Sequence, residues 1–294
     1  MNELAEHLAD VLATAYGVRA ATAGPVLSAE PAFRDWAAVS EAVAAVAASF
    51  GNVIGISGSQ GSGKSTLARV LCQYLEAATD EPAAAVSLDD FYLTRRERAA
   101  LAAAVHPLLR TRGVPGTHEH ERVAELLDRV RVGERNLELP VFDKGADDRA
   151  GERAVRAGQL VLEGWCLGLE AVDPAALVEP VNELERSEDP QAVWRRWVNA
   201  ALAAHYAPLW QRVDFWIHLR VPGFAQVFEW RREQEQALPP DQRMDDAALR
   251  RFIAHYERWT HMLWTQAPPG PGLVLEIDAH HGVDPFRCRS VADA

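Results

Sequence analysis

The sequence predicts an α/β protein in which a mostly parallel sheet is flanked by helices on both faces. Three observations carry this. Asn52 to Ser57 (NVIGIS) is a short β-branched run that ends at a glycine-rich loop, and the loop opens into TLARVLCQYLEA, where Leu67, Val70, Leu71 and Tyr74 recur at helical spacing. Other short apolar runs, such as QLVLEGW, alternate with longer helical stretches, the pattern of strands joined by crossover helices. The 294 residues are 48% hydrophobic, enough for one large core, and no internal repeat or low-complexity linker interrupts them, so a single domain over 1–294 is expected.

Two alanine-rich helical segments come first, roughly 2–16 and 31–50, as an N-terminal extension (1–50) to a core over 51–294. The first of them carries Glu3, Glu6 and Asp10 where a secretory signal needs positive charge, so it reads as an amphipathic helix. After the glycine loop and its helix, a second strand, AAVSL, ends at Leu88 and runs into DDFYL. Thr94 with Glu97 forms a capping box that opens a helix through about Ala103. His106 to His118 (HPLLRTRGVPGTH) lacks periodicity and is a loop, of a length that commonly has a function. Leu137 to Phe142 is a brief extended piece, and Gln159 to Trp165 a buried parallel strand. Asp189 is a good N-cap and Pro190 suits a first helical position, which predicts a long helix ending near Trp210. Phe215 to Val221 is another strand, followed by helices at about 223–237 and 245–265. The second of these carries Leu249, Phe252, Ile253, Tyr256 and Leu263 on one face. LVLEI, residues 273–277, is expected to be the last strand.

A net charge of −12 argues against partners whose binding depends on neutralising many phosphates, so neither nucleic acid nor an anionic membrane is expected. Small anionic substrates need only a local basic pocket. No stretch approaches the roughly 18 uncharged apolar residues of a membrane span, and a cytoplasmic location is expected. Cys72, Cys166 and Cys288 lie far apart without metal-ligand spacing and read as reduced thiols. Of 30 basic residues only Lys64 and Lys144 are lysine. Base composition can fill interchangeable basic positions with arginine, whereas a position that needs a compact point charge resists that drift.

Gly58 to Ser65 (GSQGSGKS) fits G-x-x-x-x-G-K-[ST] in full, between a strand and a helix. In that context Gly58, Ser59, Gln60, Gly61, Ser62 and Gly63 wrap a nucleotide phosphate with backbone N–H groups at a helix N-terminus. Lys64 reaches the β and γ phosphates, the Ser65 hydroxyl ligates Mg²⁺, and Thr66 lies beside them. ATP and Mg²⁺ are therefore the expected cofactors. Asp89 and Asp90 directly follow the second strand, so a carboxylate projects over the carboxyl edge of the sheet, where it can accept a hydroxyl proton or hold Mg²⁺. The bland alternative makes Asp90 a turn cap and leaves Asp89 solvated. Glu163 ends the run LVL and is a candidate Mg²⁺ ligand, the alternative being a solvated strand-end acid. Neither lysine follows an asparagine, so the guanine-reading motif of a GTPase switch is absent.

SLDDFYLT (Ser87 to Thr94), RGVPGTHE (Arg112 to Glu119), PVFDKGADDR (Pro140 to Arg149) and LEGW with Leu167 and Gly168 resemble the D-glycerate 3-kinase branch of the phosphoribulokinase, uridine kinase and pantothenate kinase superfamily. The resemblance runs in order from about Val53 to Gly168. It implies a P-loop kinase fold with a helical lid and transfer of the ATP γ-phosphoryl group to the 3-hydroxyl of D-glycerate, with Asp89 as base beside Lys64. Arg231 and Arg232 match the general place of lid arginines that close over ATP phosphates. The acceptor would be met by Asp90, Tyr92, Arg112, His118, Asp143, Lys144 and Arg149, in the loops bordering the phosphate site. Where the branch usually reads GTHD this chain has Glu119, the same charge one methylene further out. A nucleoside, a pantothenate-like molecule or another sugar acid are alternative acceptors on the same fold. A catalytically silent nucleotide-binding protein is a further alternative, against which Asp89 and Glu163 speak.

Overall fold

The computed structural model describes residues 39–291, except 42, 237–238 and 240–242. The helix expected over 2–16 lies outside the described residues. Of that expected over 31–50, residues 39–41 and 43–47 are helical.

Six strands form one sheet: β1 (Val53–Gly58), β2 (Ala83–Ser87), β5 (Gln159–Gly164), β6 (Phe215–Arg220), β7 (Gly272–Ile277) and β8 (Val283–Ser290), in the spatial order β2-β5-β1-β6-β7-β8. All neighbours are parallel except β8, which closes the edge antiparallel to β7. Alternate residues of the central strands face opposite sides. Val53, Leu160, Leu162 and Trp216 enter one apolar cluster, and Ile54, Ile56, Val161, Phe215 and Ile217 the other. A sheet buried on both faces needs such continuous apolar runs, which is why β1, β5 and β6 stand out in the sequence. β8 adds a strand beyond the expected last one at 273–277.

The remaining two strands, β3 (Asn136–Asp143) and β4 (Asp148–Arg156), form a separate antiparallel hairpin with a bulge between Val141 and Phe142. β3 packs against the single 3₁₀ turn Leu88–Phe91 that follows β2, which sets the hairpin tip over the carboxyl edge of the sheet. Thr94 and Glu97 make the expected capping box, and the helix they open ends at Ala104. The helix His120–Arg131 goes beyond the elements anticipated, although its buried Val123, Leu126, Leu127 and Val130 have helical spacing.

One expected boundary is corrected. Asp189 closes a short helix, Glu183–Glu188, and the next helix begins only at Val193. The Asp189 carboxylate still accepts from the backbone N–H groups of Trp194 and Arg195, and it also takes the Arg195 guanidinium at 3.0 Å. It caps from further upstream than an ordinary N-cap because it belongs to a buried ionic cluster with Glu185, Arg195 and Arg258. The chain then passes through a π-helical stretch, Leu202–Tyr206, before ending at Trp210 as expected. Helices Phe224–Gln236 and Asp246–Thr265 occupy the places anticipated at 223–237 and 245–265. Among the described residues no helix is long and apolar enough to cross a membrane, and Cys72 and Cys166 are buried and unbridged.

Candidate active site

The phosphate-binding loop leaves β1 at Gly58 and enters the helix Lys64–Thr79. Gly61 and Gly63 have φ of 80° and 91°, the left-handed region that other residues enter at a cost. A Cβ on Gly61 would also come 2.7 Å from the Trp230 Cβ, so the loop and the helix Phe224–Gln236 meet too closely for any side chain there. The hydroxyls of Ser59 and Ser62 and the side-chain carbonyl of Gln60 are buried with no partner among the described residues. The two orphaned hydroxyls can donate to phosphate oxygens in a loop of this shape.

Lys64 Nζ donates to the Ser59 carbonyl at 2.9 Å. Burial pulls its ammonium below the ordinary lysine value, while the carboxylates of Glu163 and Asp89 oppose that shift. Ser65 Oγ donates to Glu163 Oε1 at 2.8 Å, joining the start of the helix to the end of β5. A hydroxyl and a carboxylate side by side are hard oxygen donors, the set Mg²⁺ accepts when phosphates and water complete its shell. They fit the metal, and among the described residues no group of three or more potential ligands forms a dedicated cage.

Asp89 sits in the turn after β2, where its N–H donates to Ser87 Oγ. Tyr92 Oη donates to Asp89 Oδ1 at 2.7 Å and Lys144 Nζ to Oδ2 at 2.6 Å. Burial alone raises this carboxyl; the charge and hydrogen bond of Lys144, then the Tyr92 hydroxyl and nearby His118, outweigh it and hold Asp89 below its usual range. Lys144 stands at the hairpin tip. Arg112 donates to its carbonyl at 3.2 Å and pairs with Asp147, which also receives the buried Arg98 at 2.9 Å. The turn that presents Lys144 is thus clamped by two guanidiniums, and Asp147 holds the left-handed φ of 55° that closes it.

These groups line one cavity of about 200 Å³, with Gln60, Gly61, Lys64, Ser65 and Glu163 on the phosphate side and Asp89, Tyr92, Arg112 and Lys144 facing them. Trp165, Phe252 and Tyr256 supply an aromatic wall, and Arg231 with Gln234 the rim. Trp165 Nε1 donates to the Gly113 carbonyl at 2.9 Å and Tyr256 Oη to the Arg112 carbonyl at 2.8 Å, so the wall is tied to the long loop between Val105 and His120. Phe252 and Tyr256 occur in an apolar helical stripe, and from sequence such residues read as core. Trp165 lies inside the LEGW motif without a chemical signature of its own.

Several residues expected at the site are not on the cavity wall. Arg232 pairs with Glu229 on its own helix. The exposed Asp143 carboxylate accepts from the N–H groups of Gly145 and Ala146 at 2.7 and 3.0 Å, shaping the turn instead of meeting a ligand. Asp90 lies 4.0 Å from Arg153 and is turned toward the hairpin. Arg149 pairs with Glu119 at 2.6 Å, so the longer acid at position 119 anchors β4. His118 stacks on Tyr92 at 4.7 Å and shares a 2.7 Å hydrogen bond with Tyr206. Burial lowers its imidazole to about 4, so it is neutral at pH 7 and backs Tyr92 without adding a cation.

A nucleotide-phosphate loop, a metal-suited oxygen pair and an ionised carboxylate facing both across a small cavity define a P-loop phosphotransferase that acts on an alcohol. No protein-family model matches the chain. It is 33% identical over 219 residues, 69% of this chain and 78% of the other, to the uncharacterized kinase mug58 of Schizosaccharomyces pombe. It is 30% identical over 256 residues, 80% of this chain, to the chloroplastic D-glycerate 3-kinase of Arabidopsis thaliana, of which the match spans 54%. Its fold matches the structure of D-glycerate 3-kinase from Cryptococcus neoformans var. grubii with a TM-score of 0.69 at 23% identity, covering 89% of this chain and 100% of that one. The chain belongs to the same family as the fission-yeast kinase.

Proposed function

We propose that this protein phosphorylates D-glycerate on its 3-hydroxyl at the expense of Mg·ATP, giving 3-phosphoglycerate and ADP. The observation that carries the reading is the position of Asp89, which faces the phosphate loop across a 200 Å³ cavity while Lys144 and Arg112 stand beside it. A cavity of that size suits a short acceptor, and two cations suit one that carries a carboxylate. The Arabidopsis relative's activity supports the same acceptor.

In this mechanism Lys64 and the loop N–H groups hold the β and γ phosphates in line with the acceptor. Ser65 and Glu163 would hold Mg²⁺, which neutralises phosphate charge when bound. Arg112 orients the acceptor carboxylate. As the hydroxyl attacks, Asp89 Oδ2 takes its proton, and Lys144 is released from Asp89 toward the oxygens of the transferring group. Tyr92 keeps the other carboxylate oxygen fixed during the transfer. Arg231, at the cavity rim on the helix Phe224–Gln236, exchanges its contact with Glu235 for a phosphate.

Purified protein with Mg·ATP, assayed for ADP release against D-glycerate, L-glycerate, pantothenate, uridine and ribulose 5-phosphate, tests this. D-glycerate should give the highest kcat/KM, with phosphorus NMR placing the ester at the 3-position. A preference for pantothenate or uridine overturns the acceptor assignment, and ADP release from none of them overturns the kinase reading.

A further inference from the structure

A second cavity, of about 380 Å³, opens beside the first, lined by Arg98, Arg110, Arg112, Arg251, Asp147 and Glu188 among its residues. We propose that it binds a phosphomonoester dianion and thereby communicates with the active site. In a chain of net charge −12, four guanidiniums against two carboxylates leave this hollow with two positive charges in excess, a local reversal of sign.

The partners of each arginine show where a ligand would attach. Arg98 is saturated: it donates to the carbonyls of Leu93, Arg110 and Asp147 and pairs with the Asp147 carboxylate. Arg251 forks onto Glu188 at 3.0 and 2.6 Å. Arg112 divides itself between Asp147 and the Lys144 carbonyl. The Arg110 guanidinium has no hydrogen-bond or ion-pair partner among the described residues, although its backbone is pinned by the 2.8 Å bond from Arg98 to its carbonyl. The Arg110 side chain is exposed, so its guanidinium fork is open to a planar or tetrahedral oxyanion at a concave, net-positive surface. A phosphomonoester carries close to two negative charges at neutral pH and matches the excess.

The site is joined to the catalytic cavity because Arg112 and Phe252 line both. A dianion that takes an N–H of Arg112 competes with Asp147 and loosens the turn that presents Lys144 to Asp89. Occupancy therefore lowers turnover without displacing nucleotide. The occupant is either a phosphorylated acid made by the enzyme itself or an unrelated sugar phosphate; both share the chemistry the site reads.

The full chain, saturated with Mg·AMP-PNP so that the phosphate loop is filled, is titrated calorimetrically with glycerol 3-phosphate and separately with 3-phosphoglycerate. At least one of them should show an equivalent of binding that Arg110→Ser weakens tenfold or more, about 1.4 kcal/mol. Arg110→Lys should keep most of it, and AMP-PNP affinity should be the same in all three proteins. Binding of 3-phosphoglycerate alone at this site identifies the product as occupant, and binding of both identifies the phosphomonoester group as what is read. No binding to the wild-type complex, or equal affinity in Arg110→Ser, overturns the proposal. The readout needs no turnover, so it stands or falls apart from the identity of the acceptor.

Discussion

Replacing Lys144 by methionine isolates the contact on which the proposed acid–base chemistry depends. Its ammonium lies 2.6 Å from Asp89 Oδ2, with the two side chains 61% and 24% exposed. With charge centres about 4 Å apart, such a pair is worth about 4 kcal/mol at an effective dielectric of 20 and about 1 kcal/mol in bulk water. The exposure of Lys144 places it toward the watery limit, so about 1 to 2 kcal/mol is the reasonable range. At 1.36 kcal/mol per unit, the Asp89 pKa should rise by about one unit once the charge is gone and burial is opposed mainly by the Tyr92 hydroxyl. The sign follows directly. Asp89 is depressed in the folded wild type, so it stays ionised and competent as a base down to below the ordinary aspartate range, and activity fails only beneath that. In Lys144→Met the acid limb of the kcat/KM profile for D-glycerate, measured between about pH 2 and 8, should move up by about a unit, accompanied by a loss of plateau activity. Lys144→Arg keeps the charge and should leave the limb in place, while the bulkier fork still lowers plateau kcat/KM by about tenfold. An acid limb that does not move in Lys144→Met refutes the reasoning, because either the pair does not exist in solution or Asp89 is not the titrating base.

Lys64→Ala should abolish nearly all turnover with the melting temperature little changed, since the proposed mechanism sets its ammonium against the phosphates; turnover within about tenfold of wild type contradicts the loop's proposed role. Asp89→Asn should bind nucleotide normally, by fluorescence titration, yet lose kcat roughly a hundredfold or more; a variant with full kcat and a changed Mg²⁺ requirement would make Asp89 a metal ligand instead. Glu185→Ala should leave Arg258 and Arg195 buried without their shared carboxylate and cost about 3 to 5 kcal/mol. Thermal melts should then fall by on the order of 10 °C, and a shift of only a degree or two means the cluster is not holding the fold.

Much of the architecture was legible because both periodicities are strong here. β1, β5 and β6 are continuous apolar runs since both faces of each strand are covered, and the loop motif lies between a strand and a helix, the context that gives it meaning. The hairpin was harder. Only its first strand carries buried apolar residues, whereas Asp148–Arg156 is largely exposed and charged, so the local sequence asks little for a β conformation and pairing with β3 supplies it. Asp189 misled for a related reason: its carboxylate does cap a helix, but its place was set by a buried arginine cluster assembled from three helices.

The site divides along the same line. The sequence by itself made three features legible: the glycine loop through its short, fixed spacing, the acids through their place at strand ends, and Lys144 through the rarity of lysine. Only the tertiary structure decided which side chains share a cavity. It gave Lys144 to Asp89 as a partner, assigned Asp143 and Arg149 to turn-shaping and anchoring, and set Phe252 and the buried Tyr256 at the edge of the core as a cavity wall. Apart from the local turn at Asp143, these are contacts between segments separated by tens to more than a hundred residues. Their energies arise from packing and charge pairing across the fold, and no local pattern along the chain encodes them.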